Sequence, residues 1–192
     1  MTQVLAASGS CSPVTQSQIE WAADAGFEEV PLETPEYAAA DDRAAWLAGP
    51  LRQIVALLRA GKSDIVHTSK GRDDRRIAET RAACRARGDL SPQADFAPAP
   101  LLGRLLGRLL RRVLESVAVP RLCLAGGDTS SFAVAELGID ALEIASRLTR
   151  GAPLCRAVAG DRRLDGVEIA LKGGQVGRED FFGLLRSGVA LS

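Results

Sequence analysis

Two glycines followed by Asp128, Thr129 and Ser130, set between a strand and a helix, constrain this chain more than any other feature. Arg121 to Ala125 is a short apolar segment that reads as a buried strand. Phe132 to Leu137 carries a helical pattern, which Gly138 closes. A strand that turns through Gly126 and Gly127 into a helix opening on Asp, Thr and Ser is built to hold an anion. The glycines let backbone approach closely, the free N–H groups of the first turn point outward, and the hydroxyls add donors. A nucleotide phosphate is the obvious anion. The same residues also satisfy ordinary N-cap chemistry, in which Asp128 or Thr129 closes its own helix and nothing more.

Strands and helices alternate along the rest of the chain. Val4 to Ala7 reads as a strand, and a helix from about Thr15 to Ala25 stops at Gly26. Glu28 to Leu32 reads as an edge-like strand, because Pro31 cannot donate to a ladder. A long helix is expected from about Ala38 to Ala60, broken or kinked at Gly49-Pro50. Asp64 to Thr68 is the third strand, Ile77 to Arg87 the next helix, and the proline-rich stretch Ser91 to Pro100 a loop. Leu101 to Val117 is the most regular helix: leucines recur every four residues and Arg104, Arg108 and Arg112 line one side. Such a stripe can meet phosphate, but on an amphipathic helix it reads first as a solvated face. Ala141 to Ile144 and Val167 to Leu171 are strands, with Leu154 to Val158 pairing antiparallel with the latter through a turn over 160–166. Asp180 to Arg186 closes the chain as a short helix. The expectation is one α/β domain over residues 1–192: three layers, a mainly parallel sheet with helices on both faces, and an antiparallel C-terminal portion.

Composition removes several classes of function. Lys plus Arg and Asp plus Glu are both 24, so the net charge is zero and a general nucleic-acid binder is disfavoured. No apolar run approaches the roughly 18 residues of a membrane span, and the first residues lack a basic signal-peptide start. Cys11, Cys84, Cys123 and Cys155 form no CxxC pair and His67 is the sole histidine. Free thiols in a cytoplasmic protein therefore fit better than a zinc site or a disulfide framework. A homo-oligomer is compatible with all of this.

Four loops share one location. Ser8 to Ser12, Ser69 to Asp74, Gly126 to Ser130 and Lys172 to Gly174 each follow an expected strand. In open α/β sheets ligands bind outside the carboxyl ends of the strands. Small, glycine and hydroxyl-bearing residues at all four places suit a phosphate cradle. Ser8, Ser10, Gly126, Gly127, Thr129, Gly173 and Gly174 are thus candidate contacts for nucleotide. Asp128 is a candidate base, or a holder of the metal on the phosphates, with helix capping as its structural alternative. Lys172 can neutralise phosphate charge or simply end its strand in solvent. Asp73 and Asp74 can ligate magnesium, although Arg72, Arg75 and Arg76 around them suggest a surface salt-bridge cluster. His67 alternates with Ile65 on a strand face and reads as a structural polar residue. Gly61-Lys62-Ser63 mimics the end of a Walker A loop, but it precedes a strand instead of following one, and no GxGxxG occurs.

These segments together resemble the four-carbon acid sugar kinases. The likeness runs through Ser8-Gly-Ser-Cys-Ser-Pro-Val-Thr-Gln16, His67-Thr-Ser-Lys-Gly-Arg-Asp-Asp-Arg75 and Gly126-Gly-Asp-Thr-Ser130. It continues through Leu137-Gly-Ile-Asp140, Gly151-Ala-Pro-Leu-Cys155 and Leu171-Lys-Gly-Gly-Gln-Val-Gly177, ahead of Glu179-Asp-Phe-Phe182. The resemblance covers the family's C-terminal, nucleotide-binding half only; the N-terminal half, which carries the acidic substrate-binding motif, has no counterpart here. It implies ATP with Mg2+ as cofactors, and an acceptor such as threonate, erythronate or a 3-oxo-tetronate. It also implies an N-terminal substrate-binding half as partner, and little activity for this chain alone. Ser10, Gly126 to Thr129 and a glycine of the Lys172-Gly173-Gly174 turn would touch nucleotide. The family's usual Lys-Ser-Gly-Asn-Phe-Gly turn has Gly173 in place of its serine and Gln175-Val176 in place of the next pair. Two further readings stay open: a ribokinase-like sugar kinase, since Gly-Gly-Asp-Thr resembles that family's Gly-Ala-Gly-Asp turn, and a non-catalytic nucleotide-binding or interaction module.

Overall fold

In the computed structural model, residues 2–90 and 98–188 are described. Among them seven strands form one sheet in the order β2-β3-β1-β4-β7-β6-β5. β1 (Val4–Ser8), β2 (Phe27–Pro31), β3 (Ser63–His67), β4 (Arg121–Ala125) and β7 (Glu168–Lys172) all run in the same direction. β6 (Ala152–Val158) is antiparallel to β7, and β5 (Ala141–Thr149) is antiparallel to β6. The mainly parallel sheet with an antiparallel C-terminal portion is thus as expected. β1 and β4 are buried at every position, the pattern of parallel strands covered on both faces.

Helices supply that cover. α1 (Pro13–Asp24) and α8 (Phe181–Ser187) pack one face, where Ile19, Ala22, Phe181, Phe182 and Leu185 meet Val4, Ala6, Ile65, Cys123 and Ala170. α4 (Ala48–Arg59), α6 (Ala99–Ser116) and α7 (Gly127–Leu137) cover the other, where Ile54, Leu106, Leu109 and Ala133 join Leu5, Val66, Leu122 and Leu124. α2 (Thr34–Ala39) packs on α5 (Arg75–Ala86) beyond the carboxyl ends of β2 and β3. α6 and α7 lie unusually close. A Cβ on Gly103 would stand 2.8 Å from the Thr129 carbonyl oxygen, and one on Gly107 2.7 Å from that of Ala133. The glycines of the near-repeated Leu-Leu-Gly-Arg unit are therefore a contact seam that seats α7. Arg104 and Arg108 flank it and reach Glu136 at the surface, in agreement with a solvated face.

Two elements differ from expectation. The helix expected over 38–60 is three: α2, α3 (Arg43–Trp46) and α4. The break falls where Asp42 accepts the Ala44 and Ala45 N–H groups, not at Gly49-Pro50. Pro50 sits in the first turn of α4, where its missing N–H has no intrahelical partner to lose. β5 runs on to Thr149, with register shifts on either side of Ser146. Its polar, exposed residues give no apolar alternation by which to extend it. The loop expected over Ser91 to Pro100 falls mostly outside the described residues, and α6 already begins at Ala99. All four cysteines are free thiols; only Cys11 is exposed. No described helix is long and apolar enough to cross a membrane.

At the opposite edge from the four loops, Asp64 is fully buried and neither carboxylate oxygen has a hydrogen-bond partner. Burial, with the nearby Glu28 carboxylate adding to it, pushes its pKa up from 3.8 to about 7. Lys62 is 3.6 Å from Glu28 rather than on Asp64. The folded state therefore binds a proton that the unfolded chain has already lost, so this contribution to stability is complete below about pH 4 and vanishes as pH rises through about 7. Urea unfolding from pH 4 to 8.5 should show stability declining across that window. Asp64→Asn should flatten the decline and exceed the wild type above pH 8 by more than about 1 kcal/mol; parallel profiles would show that Asp64 does not titrate there.

Candidate functional site

Because β1, β3, β4 and β7 run parallel, the four loops that follow them emerge at one edge. The first is a ladder of serines. Ser8 Oγ accepts the Ser10 N–H, Ser10 Oγ that of Ser12, and Ser12 Oγ caps α1 by accepting from Val14. Each hydroxyl fixes the loop two residues on and keeps its own proton to donate. Ser8 is wholly buried beneath the loop, whereas Ser10 lies at its lip.

Three glycines bring the loops together. A Cβ on Gly9 would lie 2.2 Å from the Thr129 methyl, one on Gly126 3.3 Å from the Gly9 carbonyl carbon, and one on Gly174 2.5 Å from Ser10 Oγ. Gly126 also has φ +125°, which a side chain would strain, and its N–H bonds the Lys172 carbonyl at 2.9 Å. Gly126 is the N-cap of α7 and offers no side chain; the first helical bond is that of Ser130. The N–H groups of Gly127, Asp128 and Thr129 thus have no partner among the described residues. Gly127 faces open space.

That open space is a cleft of about 440 Å³ lined by Gly126, Gly127, Ser130, Val134, Leu171 and Gly173. Ser130 Oγ is buried against it and makes no hydrogen bond. An orphaned hydroxyl, free N–H groups and the positive end of a helix dipole fit the phosphates of a nucleotide. Asp128 is exposed in the first turn and accepts no backbone N–H, so it does not cap its helix.

Lys172 is neither a solvent-facing strand end nor open to the cleft at its ammonium. It is 2% exposed, and Nζ donates to Thr15 Oγ1 and to the Gly173 carbonyl, both at 3.1 Å. The ring of Phe181 lies 5.7 Å away. Thr15 Oγ1 in turn donates to the Gly174 carbonyl at 2.8 Å. Burial pulls the ammonium's pKa down, since no carboxylate faces it. Gln18 donates to the Val176 and Arg178 carbonyls, so α1 clasps this turn at two points.

The loop after β3 is held by a buried network instead of a surface cluster. Asp74 caps α5 by accepting the Arg76 N–H and also receives the Lys70 N–H and the Arg76 guanidinium. Burial pushes its carboxyl up, but those donors outweigh it and hold the pKa at about 2. Arg76 also donates to His67 Nδ1, which fixes the proton on Nε2, and Nε2 donates to Glu29. Burial and then Arg76 lower the His67 pKa, keeping it neutral. His67 is structural, as expected. Asp74 is committed to its cap and ion pair, and no group of three or more metal-binding side chains occurs among the described residues.

A family model described as "Nucleotide-binding C-terminal domain" matches residues 5–182. The chain belongs to that family, the C-terminal domain of four-carbon acid sugar kinases. It is 42% identical over 189 residues to a 3-oxo-isoapionate kinase of Paraburkholderia graminis, covering 96% of this domain and 38% of the relative. A 3-oxo-tetronate kinase of Haemophilus influenzae is 39% identical over 69 residues, 36% of the domain and 16% of the relative. The domain therefore spans well under half the length of the curated relatives it matches. Among solved structures, a Haemophilus influenzae protein matches all of the domain and 41% of its own chain, with TM-score 0.71 and 24% identity. A Bordetella bronchiseptica protein with bound citrate, a domain-swapped dimer, matches 95% and 40%, with TM-score 0.70 and 21% identity. These two likenesses show the fold.

Sequence reasoning overlooked Ser130, Thr15 and Gly9. Ser130 was legible as the next hydroxyl of the motif. Thr15 was not, because only folding brings it to a turn 159 residues away. The glycine packing makes a contrast that unfolding measurements can read. Gly9→Ala, whose Cβ has no room, should lose about 1–3 kcal/mol. Gly127→Ala, whose Cβ meets nothing, should leave stability unchanged or raise it by up to about 1 kcal/mol. Equal effects would show that the loops do not pack as described.

Proposed function

We propose that this domain is the ATP-binding half of a kinase that phosphorylates four-carbon sugar acids of the threonate, erythronate or 3-oxo-tetronate type. The observation that carries the reading is the start of α7, where unpaired N–H groups and the orphaned Ser130 hydroxyl face the open side of Gly127. The names of the curated relatives support the kinase class.

In this reading Gly126, Gly127, Asp128 and Thr129 hold the phosphates through backbone N–H groups. Ser10 and the Gly173-Gly174 turn close the cradle from the sides. Ser8 holds the first loop from beneath, and Lys172 adds a positive charge under the turn. ATP supplies the transferable phosphoryl group, and Mg2+ neutralises charge on the phosphates. Asp128, a carboxylate without a partner on the first turn of α7, fits a metal-bridging role, since Mg2+ is usually held by one or two carboxylates plus phosphate. It fits equally a base for the acceptor hydroxyl. An N-terminal half would hold the sugar acid across the cradle, so that transfer needs both halves.

Titration of ATP or ADP into the chain should show binding, and Gly127→Val should weaken it by at least about tenfold at unchanged thermal stability, because the new side chain enters the space assigned to phosphate. Unchanged affinity in the folded variant would remove the cradle. ADP release with Mg2+, ATP and a panel of threonates, erythronates and 3-oxo-tetronates should be absent for the chain alone and appear once an N-terminal half is added. Robust turnover by the 192 residues would place the acceptor site within them.

Asp128→Asn in the two-half enzyme should lower kcat by about a hundredfold or more with little change in nucleotide affinity. Near-normal kcat would leave Asp128 only its weak interaction with the helix dipole, about 0.3–1 kcal/mol of stability.

A further inference from the structure

A second cavity, of about 60 Å³, opens beside the first at the same sheet edge. Gly9 separates the two: it lines the second cavity, while its backbone abuts Gly126, which lines the first. The walls come from four elements. Cys11 belongs to the loop after β1, Thr34 begins α2, Thr68 follows β3, and Arg76 and Thr80 lie on α5.

Hydroxyls dominate its chemistry, and they are not all satisfied. Thr68 is 2% exposed and its Oγ1 has no hydrogen-bond partner. Thr34 and Thr80 bond each other, Oγ1 to Oγ1, at 2.7 Å. One of those two hydroxyls donates, which leaves the other's proton without an acceptor among the described residues. Leaving buried polar groups unpaired costs about 1–3 kcal/mol each, so the walls favour a guest that restores the missing bonds. Arg76 brings no free charge, because Asp74 and the His67 ring and carbonyl occupy its guanidinium. The cavity is large enough for a group of a few heavy atoms, a single water needing roughly 10–15 Å³ on the same measure.

A guest that both donates and accepts, and carries no charge, matches these walls better than a carboxylate, which only accepts. We propose that this cavity is a subsite for the uncharged, hydroxyl-bearing end of a polyhydroxylated ligand. It deepens the kinase reading, on which it rests for calling that ligand the phosphoryl acceptor; the class of the bound group rests on the cavity alone. The acceptor's hydroxylated end would then lie one backbone strand away from the phosphate cleft.

Cys11 gives a native reporter, since it is exposed and the other three thiols are buried. The rate of Cys11 alkylation would be followed in the folded chain with erythritol or with potassium threonate, and ATP affinity measured separately. Erythritol should slow alkylation severalfold and saturably, and threonate should do no better. Thr68→Val should abolish the protection, Thr68→Ser should keep it, and neither should change ATP affinity. No protection by erythritol, equal protection in a folded Thr68→Val, or protection by threonate alone would each overturn the subsite. Should Thr68→Val fail to fold, the comparison of erythritol with threonate on the wild type decides by itself. Protection by erythritol in a chain that binds no ATP would uphold the subsite and sink the kinase reading.

Discussion

The whole carboxyl edge depends on backbone approaching backbone where side chains would not fit. Gly9 touches Thr129, Gly126 touches the Gly9 peptide, and Gly174 touches Ser10. A single methyl at Gly9 or Gly174 would collide with the opposing loop, so three segments far apart in sequence are locked by what is missing from each. The contact also fixes orientation. With Gly126 bonded to the Lys172 carbonyl and the Thr129 hydroxyl directed at the Gly9 carbonyl, the first turn of α7 cannot swing without breaking both neighbours.

Around that junction the molecule accepts groups that elsewhere would be liabilities. Lys172 is a buried cation met only by a hydroxyl, a carbonyl and a ring. Ser130 and Thr68 are buried hydroxyls without partners. The loop after β3 shows the contrasting solution: its buried charges, Asp74 and Arg76, are paired and fully bonded. Satisfied networks mark scaffolding, whereas unsatisfied groups collected at one sheet edge mark a place prepared for a guest.

Much of this was legible in the sequence. Strand order followed from alternating elements, the antiparallel end from a glycine-bounded turn, and the cradle from Gly126-Gly127 followed by a helix. Family likeness gathered the scattered loops. What stayed hidden depended on distance. The 38–60 segment reads as one amphipathic helix because nothing local reveals that Asp42 caps a new one. β5 beyond Ile144 has polar residues on both faces and so no alternation to detect. Lys172 reads as a strand end in water until Thr15 and Phe181 close over it. The glycines at 103 and 107 looked like mere interruptions of a leucine pattern before α7 was laid against them.

The two outer strands of the sheet have a consequence for crowded solutions. On one flank β2 ends in Pro31, which has no N–H to give, and carries Glu28 and Glu29. On the other, β5 is exposed along most of its length, Ile144 at 75%, yet its register is interrupted twice and Glu143 and Arg147 stand along it. Neither margin offers a straight, apolar row of free peptide groups on which another chain might template. Lateral growth of the sheet from molecule to molecule is disfavoured at both ends. Assembly with another polypeptide is left to loops and helix surfaces, where side chains and not peptide groups choose the partner.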